Sequence, residues 1–141
     1  MEKVEWKIHL SSPRERVFQY LTTDEGRSRF WAEFTVEERG VIHFVFPNGR
    51  EYRSVVVEKN YPDTFAIEYF HSLVIFHLSS HHGEHGTDLL LINKDIPGEE
   101  YDQVAAGWVS VLMSLKAAVD FGIDLRNHDA AKCWNQKYVD N

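Results

Sequence analysis

The sequence predicts an α+β domain in which a curved antiparallel sheet of about six to seven strands wraps around one long C-terminal helix. Three observations carry this reading. Apolar residues alternate with polar ones through Glu2–Leu10, and short β-like runs fill the stretch from Phe34 to Asn93. Two helix start signals stand back to back between Ser11 and Glu25. Between Glu99 and Phe121, apolar residues recur at helical spacing.

Taken in order, Val4, Trp6, Ile8 and Leu10 share one face of the first strand, with Glu5, Lys7 and His9 on the other. Ser11-Ser12-Pro13-Arg14-Glu15 ends it. Ser12 is expected as a cap, Pro13 suits a first helical position, and Glu15 completes a capping box. The helix that starts there should bury Val17, Phe18 and Leu21. Thr22-Thr23-Asp24-Glu25 repeats the signal, so a second short helix is expected to carry Arg27 to Trp31. From Glu33 the runs are Phe34–Glu38, Val41–Phe46, Tyr52–Glu58, Phe65–Phe70, Leu73–Ser79 and Thr87–Asn93. Their separators hold Gly, Pro, Asn, Asp or Ser and are hairpin-short, so neighbours should pair antiparallel. Val55-Val56-Val57, Leu73 to Phe76 and Leu89 to Ile92 are apolar on both faces, and a slip of one residue would invert them.

Ile96-Pro97-Gly98 breaks the last strand. Val104, Trp108, Val111, Leu112, Leu115 and Val119 then line one side of a helix, with Glu99, Glu100 and Asp102 at its positive end. Gly122 stands where a C-cap glycine belongs. The remaining tail is aromatic, with Trp134 and Tyr138, and is expected to fold back. The whole reads as one domain over residues 1–141, its core about 4–121 and an extension over 122–141.

The chain has 141 residues, 43% of them apolar and 13% aromatic, and a formal net charge of -7. That acidity repels phosphate backbones and anionic lipid, so neither nucleic acid nor membrane is expected as a partner. One cysteine, Cys133, excludes an intrachain disulfide. Met1 to Glu5 lacks a signal core, and no apolar run is expected to span a bilayer, so the cytoplasm is the expected compartment.

The order of strand, two short helices, about six strands and a long helix resembles the helix-grip fold of the START/Bet v 1-like (SRPBCC) superfamily. Within it, the chain resembles the family of Hsp90 ATPase activator homologues. Ser12-Pro13 with Val17-Phe18, Phe30-Trp31, Gly86-Thr87, and Gly107-Trp108 with Leu112 and Leu115 carry the likeness over roughly residues 4 to 121. The turn at His81-His82-Gly83-Glu84-His85 and the tail from Asp124 depart from it. The resemblance implies a chamber between helix and sheet that takes a hydrophobic small molecule, with chemistry in only some members.

Trp31, Phe44, Phe46, Phe65, Tyr69, Phe76, Trp108 and Leu112 are the candidate lining of such a chamber; the plainer alternative is that they fill a core. Gly107 would let the long helix approach the sheet or leave room beside Trp108. His81, His82 and His85 are weak metal candidates, because imidazole suits zinc, nickel or copper. A hairpin tip lacks the supporting shell that metal sites need, so a solvated turn is the better reading, with no metal and no cofactor. In the tail, Asp124, Arg126, His128 and Asp129 could be read as acid–base residues, but the commoner roles are a bidentate Arg–carboxylate clamp and a helix cap, with Asn127 or Asp129 as cap. No GxSxG, Walker A or GxGxxG pattern is present. The expected function is a non-enzymatic carrier or sensor of a hydrophobic small molecule. The alternatives are a co-chaperone-like interaction domain, with a chaperone or a second copy as partner, and a cyclase or hydrolase using Tyr52, Glu68, Tyr69 or His71.

Overall fold

The alternating and hairpin-punctuated runs do form one sheet. In a computed structural model that describes residues 1–80 and 85–140, seven strands lie in the order β1-β7-β6-β5-β4-β3-β2. They are β1 (Glu2–Leu10), β2 (Phe34–Glu38), β3 (Val41–Val45), β4 (Glu51–Asn60), β5 (Thr64–Tyr69), β6 (Ser72–Ser79) and β7 (Thr87–Ile96), every neighbouring pair antiparallel. Between β1 and β2 come α1 (Arg14–Thr22) and α2 (Asp24–Arg27), and α3 (Tyr101–Phe121) follows β7. This is the α+β helix-grip arrangement that the sequence predicts.

Register settles the faces that apolar runs left open. Phe65 pairs with Phe76 and Phe76 with Leu91; Ile67 pairs with Val74 and Val74 with Asn93, and all six are buried. Trp108, Val111, Leu112, Leu115, Ala118 and Val119 of α3 are buried in the same core cluster. α3 also explains why a long apolar run exists after all. On length and composition Gly98–Phe121 could cross a membrane, contrary to the sequence expectation. A helix gripped along one side by a sheet carries the same apolar excess.

Three local expectations are corrected. Ser12 does not cap α1, whose N-cap is Pro13 without a side-chain bond. Instead the Ser12 hydroxyl donates to the Val119 carbonyl (3.0 Å) and to the Asp120 carboxylate (2.7 Å), which also accepts from the Ser11 and Ser12 amides. A tertiary partner more than a hundred residues away outcompetes the local cap. α2 ends at Arg27, short of Trp31; Thr23 caps it by accepting from the Gly26 amide. Trp6 stays 41% exposed although it lies on the inward face. β1 is an edge strand, and there α3 only borders Trp6, whose indole donates to the Ala105 carbonyl.

Two glycines are required by close approach. A Cβ on Gly26 would stand 2.5 Å from the Tyr20 Cα, where α2 folds back on α1. At Gly86 (φ 99°) it would meet the Leu10 carbonyl oxygen at 2.3 Å. Gly107 is different: a Cβ there meets nothing within 4 Å, so helix approach does not require it.

Candidate functional site

The aromatic candidates converge. Trp31 sits at the centre, its ring 5.0 Å from Phe44, 5.6 Å from both Tyr69 and Phe76, and 6.0 Å from Trp108. Phe65 stacks on Phe76, and Leu112 lies in the same buried cluster. These are offset and edge-on geometries that aromatic rings prefer, and each fully buried ring contributes roughly 1.5–3 kcal/mol. Phe46 and Tyr69 are half-buried; Phe46 leads outward, while the Tyr69 hydroxyl turns in to Trp31.

That outward lead continues from Phe46 to Tyr52, Phe70 and Arg50, which the sequence reading of the chamber leaves out. Phe46 stacks on Phe44, while Phe70 lies 4.7 Å from Tyr69 and stacks on Tyr52 at 4.3 Å. The Arg50 guanidinium covers Phe70 at 4.6 Å. The rings thus form an unbroken train from the surface, at the β3–β4 and β5–β6 hairpins, to Trp108 beneath α3. The signal was available: Phe46 and Tyr52 flank the β3–β4 turn, and Tyr69-Phe70 lead from β5 into the β5–β6 turn.

Polar groups inside the train are few and mostly paired. The Trp31 indole donates to the Tyr69 hydroxyl (3.2 Å), and burial pushes the Tyr69 hydroxyl pKa well up, so it stays neutral. The Trp108 indole donates to Asn93 Oδ1 (2.9 Å), and Asn93 Nδ2 donates to the Ser72 hydroxyl (2.8 Å). Asn93 was legible as the one polar residue on the inward series Leu89, Leu91, Asn93.

The acid–base alternative divides in space. Tyr52 donates to Glu68 at the rim, and burial, with that carboxylate second, pushes its hydroxyl pKa up. His71 joins them through its backbone amide, 2.7 Å from Glu68 Oε2. Tyr69 faces inward to Trp31 instead. Glu68 and His71 border a shallow open depression with Ser72, Leu73 and Asp95; a second lies on the outer sheet face at Val36, Glu38, Arg39, Val41, His43 and Arg53. Among the described residues no group of three or more His, Cys, Asp or Glu is placed to hold a metal ion. His85 is exposed; His81 and His82 fall outside the described residues.

Trp31 owes its position to two buried arginines. The Arg27 guanidinium is sealed from solvent and donates to Thr35 Oγ1 (3.0 Å), the Leu21 carbonyl (3.1 Å), Asp24 (2.7 Å) and Glu37 (3.1 Å), fixing α2 to β2. Burial alone would raise the Asp24 pKa, but the hydrogen bonds from Thr35, the Glu37 amide and Arg27 outweigh it and lower the net value. Arg126 in the tail donates to the Ser28 and Ala32 carbonyls, both at 2.7 Å, on either side of Trp31. It also grips Asp124 with two bonds, 2.9 and 3.1 Å, the clamp the sequence suggested. Burial pushes Asp124 up, yet the bonds from Arg126 and His128 outweigh it and hold the carboxyl down at about 2. His128 lies between Glu33 (2.8 Å) and Asp124 (2.7 Å), which raise its pKa in that order. Asn127 and Asp129 close local turns by accepting from the Asp129 and Ala131 amides, where a helix cap was expected. Cys133 is buried, and burial pushes its thiol pKa up.

With this geometry, residues 11–120 match the model of a family described as Activator of Hsp90 ATPase homolog 1-like protein. Among solved structures, a Staphylococcus saprophyticus protein is similar at a TM-score of 0.78 and 22% identity, over 89% of this chain and 96% of its own. The Aha1 dimer from Colwellia psychrerythraea is similar at 0.76 and 21% identity, over 86% and 98%. DynU16, a putative protein in the dynemicin biosynthetic locus, is similar at 0.75 and 17% identity, over 88% of this chain and 49% of its own. At these identities the likeness is one of fold. No curated protein matches the chain in sequence.

Proposed function

This chain belongs to the Activator of Hsp90 ATPase homolog 1-like protein family, and from that premise we propose that it holds a flat, hydrophobic small molecule between α3 and the sheet, as a carrier or sensor and not as an enzyme. The observation that carries this reading is the ring train from the half-buried rim of Phe46, Tyr52 and Phe70 to buried Trp31 and Trp108. Apolar pockets with a few placed polar groups are the usual form of small-molecule sites. A ligand among these rings would alter the emission of Trp31 and Trp108 and raise Tm by mass action. The test is thermal shift and tryptophan fluorescence against lipids, polyketides and flavonoids. A rise in Tm with quenching by one class is expected; no response to any class at their solubility limits would overturn the proposal. The cytoplasm is the compartment this reading assumes.

A second reading, docking to a chaperone or to another copy, is favoured by one observation. Phe34, Val36, Val55 and Val57 are each about half exposed on the outer face of β2 and β4. Binding to a cognate chaperone, or concentration-dependent dimerisation, is its measurement, and loss on V55D/V57D its expected signature. A monomer that binds no chaperone would dispose of it.

A further inference from the structure

Ser54 is fully buried on β4, between exposed Arg53 and Val55, so its side chain faces the interior. Among the described residues its hydroxyl is the one sealed side-chain polar atom without a hydrogen-bond partner. Every other sealed side-chain polar atom among the described residues has found one, the Arg27, Trp31 and Trp108 donors included, which makes the exception informative. Ser54 pairs with buried Ile42 on β3. The Val56–Ile67 register, extended by two residues, sets it across from Tyr69, the acceptor for Trp31. A β-branched apolar residue would fit a central strand better on both packing and desolvation grounds. Serine there leaves a buried hydroxyl without a partner, on the inward face of β4 between Tyr52 and Val56.

We infer that Ser54 is the polar anchor of the interior site, and that its ligand is a flat hydrophobic molecule bearing one phenolic or carbonyl oxygen that meets the Ser54 hydroxyl. This rests on the small-molecule reading above and narrows it to a class. The hydroxyl both donates and accepts, so it serves a phenol as well as a ketone. Hydrocarbons lacking the oxygen would leave Ser54 unpaired and bind more weakly.

The experiment uses the full chain and two probes of matched shape, 2-naphthol and 2-methylnaphthalene, with Kd read from quenching of tryptophan emission in wild type and Ser54→Ala. The expected result is that wild-type preference for 2-naphthol falls about fivefold in Ser54→Ala, one neutral hydrogen bond's worth, while 2-methylnaphthalene affinity stays within about twofold. Unliganded Ser54→Ala should melt no lower than wild type, because the variant removes an unpaired group. If both probes bind and the preference is the same in the two proteins, the anchor is refuted while the small-molecule site stands. If neither probe binds wild type while a lipid, polyketide or flavonoid does, the anchor and its ligand class are refuted and the site stands; if nothing binds, both fall. A drop in the variant's own Tm of more than about 3 °C would show the hydroxyl engaged within the protein, and would also refute the anchor.

Discussion

Replacing Arg126 with alanine should destabilise the fold and loosen Trp31 together. The guanidinium is sealed from solvent, with charge-assisted bonds to the Ser28 and Ala32 carbonyls and a two-bond grip on Asp124. Breaking a buried ion pair from one side typically costs about 3–5 kcal/mol. Asp124 is 41% exposed and can rehydrate, which places this case at the low end, about 3 kcal/mol. For a chain of 141 residues, 1 kcal/mol moves Tm by about 3 °C, so a fall of about 9 °C is expected. Arg126→Lys keeps the charge but not the fork, and should recover about half of it. Circular dichroism melts measure the stability, and acrylamide quenching the exposure of Trp31, which should rise because both carbonyls flanking it lose their donor. Limited proteolysis should cut the alanine variant beyond Gly122 faster than wild type. A Tm within about 3 °C of wild type, with unchanged quenching, would show that the tail only rests on the core, and would refute this account of how Trp31 is held.

Tyr69→Phe strips the acceptor from the buried Trp31 indole and should lower Tm by about 3–9 °C, for a cost of about 1–3 kcal/mol, measurable by the same melts. His128 has a raised pKa in the fold, so its contribution is complete below the unfolded value near 6.5 and is lost as pH rises through the folded value. The Tm difference between wild type and His128→Gln should therefore shrink as pH goes from 6 to 9; a difference that grows would contradict the pairing with Glu33 and Asp124. Gly107→Ala places a methyl in open space within a helix interior and should raise Tm by about 2–3 °C, for a gain of about 0.5–1 kcal/mol; a fall would mean that the helix needs the glycine there.

What the sequence made legible was governed by neighbours in the chain. β1 and β2 were predicted to their end residues because alternation and turn residues act locally, and the αL cap at Gly122 (φ 66°) was readable for the same reason. Phe44, Phe46, Phe65, Tyr69 and Phe76 lie together because they share inward parity on their strands. Failures came where a distant partner decided. Ser12 reads as a cap until Asp120, on the last turn of α3, claims it. Trp6 has the parity of a core residue but lies at a sheet edge. Arg126 was recognisable as the guanidinium of a carboxylate clamp, while its choice of Asp124 and its grip on the Ser28 and Ala32 carbonyls depend on where the tail lands. Ser54 was visible at inward parity between Tyr52 and Val56, yet nothing in one sequence distinguishes a paired serine from an unpaired one.

The same distances decide by which path a molecule could reach the interior. Trp31 is fixed on three sides: Tyr69 at its indole, Arg126 at the carbonyls beside it, and Arg27 through the α2–β2 junction. Displacing it would expose a fully buried ring, about 1.5–3 kcal/mol, and break the buried indole bond to Tyr69, about 1–3 kcal/mol more. The rim rings Phe46, Phe70 and Tyr52 are already half-buried, so swinging one outward costs about half the ring term. Arg50 over Phe70 adds a cation–π contact of only about 0.5–1 kcal/mol at such an exposed site. Opening between the β3–β4 and β5–β6 hairpins is therefore the lower path by at least 1 kcal/mol, a tenfold advantage in population for each 1.4 kcal/mol. The tail beyond Gly122, outside the residues the family model matches, bolts the opposite side shut through Arg126. A rigid wall at Trp31 facing a yielding rim at Phe70 gives the ring train a direction, and Ser54 lies partway along it.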